Sequence, residues 1–272
     1  MRSALLSGRL SKMTITPPFL PPSRPNKESA MRERPILFSG PMVRALLTGT
    51  KIQTRRIAKP VKHPHLGNLY DAGALVLERE PQHVIDRACP YGQPGDRLWV
   101  REAFRFAASL DRLSPNDVGE KALDAGYNTP WAPTQFEADG SRAGAWHGFD
   151  TPPTVTTPGK LRPGIHMPRW ACRLVLEITG VRVERLHQIS EADAVAEGVP
   201  EESEPCEQCG DCGWLCIGGE PQECDAPGCG DGAIDGYRAL WEQINGAGSW
   251  AANPWVWVVE FRVLGATDNK EQ

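Results

Sequence analysis

The apolar residues of this chain fall in four blocks, Pro35–Ile57, Arg97–Phe106, Ala171–Leu186 and Tyr237–Leu264, separated by long Pro-, Gly- and polar-rich stretches. Only the blocks hold enough apolar side chains to build a core. A length of 272 residues would accommodate two average domains, but this distribution predicts one compact domain, 34–265, interrupted by insertions. The longer insertion, 103–168, reads mostly as an inserted loop with short local elements, and loops of that length are either functional or disordered. Residues 1–33 read as a disordered extension, with Met31 an alternative start, and 266–272 as a disordered tail. No apolar run reaches the roughly 20 residues that span a bilayer, and the proline-broken amino terminus lacks a signal-peptide core. A soluble, cytoplasmic protein is expected.

Within the blocks, local patterns predict an α+β chain that is mainly β. Ile36-Leu37-Phe38 reads as a strand, followed by a helix capped by Ser39 or Gly40 that carries Met42, Val43, Leu46 and Leu47. Gly49 ends that helix in a left-handed conformation, and the β-branched content of Lys51–Ile57 favours a strand. Pro94-Gly95-Asp96 turns into a strand at Arg97–Arg101, and Trp170–Val183 is the best long strand. Ser190-Glu191-Ala192-Asp193 resembles a capping box opening a short helix that Gly198 closes. Tyr237, Leu240, Trp241 and Ile244 have helical spacing, and Trp255, Trp257, Val259 and Phe261 alternate in a final strand. Strands separated by short helices suggest a small barrel or curled sheet.

Charge is distributed unevenly. The chain carries a formal net charge of −4, yet Arg34 to Tyr70 holds no Asp or Glu and seven cations, Arg34, Arg44, Lys51, Arg55, Arg56, Lys59 and Lys62. The acidic total argues against an indiscriminate polyanion binder, so any nucleic-acid contact is confined to a patch. In a strand Thr54 and Arg56 share one face while Gln53 and Arg55 share the other. Lys51 is out of phase with Thr54 and meets its hydroxyl only from the preceding turn. A threonine hydroxyl needs a nearby base to act as a nucleophile, and a lysine serves as one only when its pKa is depressed. A solvated strand edge is the competing reading of the same cations.

Six of the eight cysteines crowd between Cys206 and Cys229, a clustering that favours metal over disulfides in a reducing compartment. Cys206-x-x-Cys209 followed by glycine can aim two thiolates at one ion, and Cys224 and Cys229 would complete a tetrahedral, structural zinc site in the segment 203–232. Cys212 or Cys216 could substitute for either. Cys89 and Cys172 read as buried apolar side chains.

Taken together, the helix-glycine-strand Leu47–Arg56, the entry Pro94–Leu98, the strand Leu174–Val183, the helix Ser190–Glu197 and the strand Trp255–Val263 resemble the ASCH family. That resemblance implies a PUA-like β-barrel with short helices, here with a cysteine-rich zinc-binding insertion. Pro90–Glu102 is similar to a string found in phage and prophage members. One bacterial branch of the family hydrolyses N(4)-acetylcytidine, with a Lys-x-x-Thr-x-Arg pattern after the glycine turn and a Glu late in the helix that follows the long strand. Lys51, Thr54 and Arg56 match the pattern, and Glu197 falls at the Glu position. The resemblance implies Thr54 as nucleophile, Lys51 as proton acceptor and Glu197 as proton donor. Gln53, Arg55, Arg56 and Lys59 are the candidates for contacting RNA or a modified nucleoside. Two other readings stand beside hydrolysis: a non-catalytic nucleic-acid or modified-base binding module, and a phage accessory factor acting through phage or host protein contacts. Trp131, Trp146, Trp214 and Trp250, in loop-like contexts, are the aromatic candidates for stacking on a ligand.

Overall fold

A computed structural model of the chain describes residues 31–143, 157–199, 214–217, 220–223 and 232–264. The expected extension before Met31, the expected tail, and Cys206, Cys209, Cys224 and Cys229 lie outside the described residues. The first strand, β1, spans Glu33–Leu37 and so begins inside the stretch expected to be an extension. Its start is tied down by Arg32, whose backbone N–H donates to Asp96 Oδ1.

Helix α1, Gly40–Thr48, follows with Ser39 as its N-cap residue and Pro41 in its first turn. Gly49 ends it at φ 79°, the left-handed conformation that glycine adopts without a Cβ penalty. Strand β2, Gln53–Ile57, comes next and starts two residues later than the expected strand. A hairpin of β3 (Val61–Lys62) and β4 (Leu69–Tyr70) leads to helices α2 (Ala72–Leu77) and α3 (Gln82–Ala88), then to β5 (Arg97–Arg101).

The span expected to be mostly loop carries its own small unit. Strands β6 (Phe104–Phe106), β7 (Thr134–Phe136) and β8 (Arg142–Ala143) form a three-stranded sheet, with helix α4 (Pro115–Asp124) between the first two. Phe104, Phe106, Leu110, Val118, Phe136 and Met167 bury one another in a satellite core. Three-residue strands are too short to display a period-2 pattern, which is why this unit reads as loop in sequence. Glu102, almost fully buried, ties the unit to the main sheet through Arg173, which also grips Asp139.

Strand β9, Val175–Arg185, begins later than expected because Arg169–Ala171 forms a 3-10 turn first. Helix α5, Glu191–Ala196, has the full reciprocal capping box of Ser190 and Asp193. Strands β10 (Trp214–Ile217) and β11 (Glu220–Glu223) pair as an antiparallel hairpin, α6 covers Ala233–Asn245, and β12 covers Trp255–Leu264.

The main sheet is mixed and five-stranded, in the order β1-β5-β9-β12-β2, with β1 parallel to β5 and the other pairs antiparallel. With the short helices this makes the fold α+β. The outer strands β1 and β2 share no ladder among the described residues, yet the sheet curls enough for the Arg56 guanidinium of β2 to donate to the Leu37 carbonyl of β1 at 2.7 Å. Strand β12 is buried on both faces: Trp257, Val259 and Phe261 join the core under α1, α2 and α3, while Val256 and Val258 pack against Tyr237 and Trp241 of α6. The expected alternation of buried and exposed residues is therefore replaced by a continuous buried run, Val256–Val259. No helix among the described residues is long and apolar enough to cross a membrane.

Candidate functional site

The turn after α1 is anchored to the end of α5. Lys51 N–H donates to Ala45 O, Ile52 N–H donates to Ala196 O, and Lys51 and Glu197 form an antiparallel bridge. Gly198, at φ 91°, lets the chain leave α5 so close to Lys51 that no larger residue fits without displacement. These two glycine turns bring together residues that the sequence separates by well over a hundred positions.

Lys51 is wholly buried, and its ammonium donates to the Glu197 carbonyl at 2.7 Å and to Glu197 Oε2 at 2.9 Å. Burial draws its pKa below the ordinary lysine value; Glu197 opposes that shift, and Arg56 and Arg55 reinforce it. Glu197 Oε1 accepts from Arg55 at 3.2 Å, so each oxygen of this buried carboxylate faces a cation. In that arrangement the carboxylate is an acceptor on both sides.

Arg55 is saturated. Its Nε and one terminal nitrogen donate to Glu184, and the same guanidinium pairs with Asp193 and Glu197. Burial works against the charge, but the three carboxylates prevail and raise the Arg55 pKa. Gln53, on the same face of β2, donates to the Asp193 carbonyl and carboxylate. Burial tends to raise the Asp193 pKa, but Gln53, Arg55, the Ser190 N–H and Arg182 outweigh it and hold it at about 2. Arg182 extends the network to Glu184, Asp193 and Glu260.

Beside this network lies a small, partly open cleft of about 40 Å³. Thr54, Arg55 and Arg56 of β2 form one side with Glu197, and Tyr237, Leu240 and Trp241 of α6 form the other. The Thr54 hydroxyl takes no hydrogen bond among the described residues. Burial pushes the Tyr237 phenol far above its ordinary pKa, so it stays protonated.

Four of the residues expected at a site therefore meet in one cleft: Thr54, Arg55, Arg56 and Glu197. Lys51 sits behind Glu197, joined to it and not to Thr54. Gln53 supports α5 through Asp193, and Lys59, exposed just past β2, is not part of the cleft wall. Among the loop tryptophans, Trp131 stacks on Tyr127, and Trp250 packs beside His187 and edge-on against Tyr237, behind the cleft wall and not lining it. Trp146 lies outside the described residues, as does the Trp214 side chain.

Sequence reasoning missed Glu184, Arg182 and the cleft role of Tyr237 and Trp241. The alternation Arg182-x-Glu184 on β9 was the available signal, since charges two apart in a strand share a face. Tyr237 and Trp241 read as core, and they are buried as well as lining the cleft. Comparison of the chain with family models, curated proteins and solved structures gives no match.

Proposed function

We propose that the chain is an ASCH-type protein of PUA-like fold whose cleft binds a modified nucleoside, alone or within RNA. One observation carries this reading: Thr54, Arg56 and Glu197 line a single cleft whose opposite wall is the aromatic pair Tyr237 and Trp241. Aromatic walls suit a nucleobase, and polar groups placed among them fix its orientation. Lys51 and Arg55 hold Glu197 from behind, which presents the carboxylate to the cleft in one conformation.

Hydrolysis of an N(4)-acyl cytidine is a second reading, favoured by the unpartnered Thr54 hydroxyl and by the burial that depresses the Lys51 pKa. Thr54 Oγ would bond to the acyl carbon and release its proton to a base. The carbon–nitrogen bond would break as cytidine N4 takes a proton, and water would then release acetate. Lys51 has to exchange Glu197 for Thr54 to serve as that base.

The deciding experiment incubates the full chain with N(4)-acetylcytidine, measuring binding by calorimetry and cytidine release by chromatography. Saturable binding that Thr54→Trp blocks supports the binding reading. Absence of binding to both this nucleoside and cytidine-containing RNA overturns it. Cytidine release that Thr54→Val abolishes supports turnover, and equal release by both proteins sinks the nucleophile assignment.

We also infer a structural zinc ion held by Cys206, Cys209, Cys224 and Cys229. The hairpin supports it, because Trp214 pairs with Glu223 and so the chain leading to Cys224 starts beside the chain arriving from Cys209. Metal analysis should find one zinc per chain, lost in a Cys206→Ser/Cys209→Ser double variant.

A further inference from the structure

The cations around the cleft are not equivalent. Lys51 is paired with Glu197, and Arg55 with Glu184, Asp193 and Glu197. Arg56 makes no ion pair among the described residues. One terminal nitrogen donates to the Leu37 carbonyl, while the guanidinium lies over the Phe38 ring with 5.3 Å between its central carbon and the ring centre. Its Nε is buried without an acceptor.

A second orphan lies in the opposite wall. Trp241 is 3 % exposed, and its Nε1, which can only donate, has no acceptor either. Buried donors are usually satisfied; Arg97 Nε, Arg162 Nε and Trp257 Nε1 are orphaned elsewhere in the fold, but Arg56 and Trp241 are two whose side chains line the same cleft. Both lack an acceptor, and the Thr54 hydroxyl can donate as well. The one acidic side chain in the wall, Glu197, has each oxygen covered by a cation and so offers little repulsion to an anion. A ligand that fits must therefore be rich in acceptors and negatively charged.

We propose that Arg56 and Trp241 form a phosphate subsite, so that the ligand of this cleft is a nucleotide and not a free nucleoside. This deepens the nucleoside-binding reading and rests on it for the choice of phosphate among oxyanions. Among the described residues, Arg56 still has an Nε–H without an acceptor and one terminal nitrogen without a partner, two charge-assisted donors for an oxyanion, whereas every nitrogen of Arg55 already faces a carboxylate. The Phe38 ring and the Leu37 carbonyl hold the Arg56 guanidinium in place before the ligand arrives.

The test is calorimetric binding of cytidine, cytidine 5′-monophosphate, inorganic phosphate and a short oligocytidine RNA to the full chain. Wild type, Arg56→Gln, Trp241→Phe and the exposed control Lys59→Gln are compared. The monophosphate is expected to bind about 10- to 100-fold more tightly than cytidine, the ratio that a charge-assisted hydrogen-bond pair supports. That advantage should vanish in Arg56→Gln, shrink in Trp241→Phe, persist in Lys59→Gln and weaken with salt. Trp241→Phe removes the donor together with one ring of the indole; lost packing would weaken cytidine and the monophosphate alike, so the ratio of their affinities is the readout and stays informative if Arg56→Gln folds poorly.

Equal affinity for cytidine and its monophosphate overturns the subsite while leaving the nucleoside reading intact. Loss of the phosphate advantage in Lys59→Gln as large as in Arg56→Gln also overturns it. Arg56-dependent binding of inorganic phosphate without any binding of cytidine supports the subsite and sinks the nucleoside reading. No binding of any probe sinks both. Tighter binding of the oligonucleotide than of the monophosphate assigns the subsite to an internal phosphodiester, and the reverse assigns it to a terminal phosphate.

Discussion

Lys51 Nζ donates to both the carbonyl and the carboxylate of Glu197, a residue 146 positions later in the chain, and neither side chain is more than 2 % exposed. Removing one partner of a buried pair leaves an uncompensated charge, which typically costs about 3–5 kcal/mol. Glu197 retains Arg55, so Lys51→Met should lose about 3 kcal/mol in urea unfolding. The Lys51→Met/Glu197→Gln double variant should recover part of that loss, because the charge left behind is removed as well. A Lys51→Met protein as stable as wild type would show that the pair is not a structural clamp.

Thr54 separates stability from function. Its hydroxyl lines the cleft and bonds to nothing among the described residues, so Thr54→Val removes no internal hydrogen bond. Unfolding free energy should stay within about 0.5–1 kcal/mol of wild type. Release of cytidine from N(4)-acetylcytidine, if the chain performs it, should disappear in the same variant, and Thr54→Ser should retain part of it. A large stability loss in Thr54→Val would mean that the hydroxyl has a structural partner.

Acid stability should report on Asp193. Its pKa of about 2 in the folded chain lies below the ordinary carboxylate value of 3.8. A depressed carboxylate contributes stability that is fully present above the unfolded value and is lost as pH falls through the folded one. Urea unfolding measured between pH about 5 and about 2 should therefore show a decline of about 2 kcal/mol attributable to this group. In Asp193→Asn that component should be absent, so its stability should fall less steeply with acid. An unchanged slope would place the acid-sensitive group elsewhere.

The elements that frame the site were legible where a local rule acts alone. Ser190 and Asp193 announce the start of α5, and Gly49 announces the end of α1, because caps and left-handed turns are properties of a few neighbouring residues. The shared faces of Gln53 with Arg55 and of Thr54 with Arg56 follow from strand geometry, and the contacts of Gln53 and Arg55 with α5 agree with it. What could not be read was partnership. Nothing in the sequence says that Arg55 is neutralised by Glu184 while the adjacent Arg56 stays unpaired, since that depends on which strand lies next to β2 and which helix covers it. Helix α4 is a different case. Ser114-Pro115 with Asp117 three residues after the cap is the same capping signal as in α5, lost among the surrounding prolines and glycines.

Gly198 provides the sharpest mechanical test of how the site is held. A Cβ built there would lie 2.8 Å from the Ala45 Cβ and 3.1 Å from the Lys51 Cβ, and the backbone is at φ 91°, where a side chain is strained regardless of space. The contact with Ala45 is with a short side chain that cannot swing aside, so α1 and the end of α5 would have to separate. Overpacking of this kind costs about 1–3 kcal/mol, and the unfavourable φ adds to it. Gly198→Ala should therefore unfold about 2–4 kcal/mol more easily than wild type. It should also weaken nucleoside binding at temperatures where it remains folded, because the displaced elements carry Lys51 and Glu197. Ala45→Gly in the same chain removes the nearer methyl and should restore part of the binding. If the double variant binds no better than Gly198→Ala alone, the spacing between α1 and α5 does not set the geometry of the cleft.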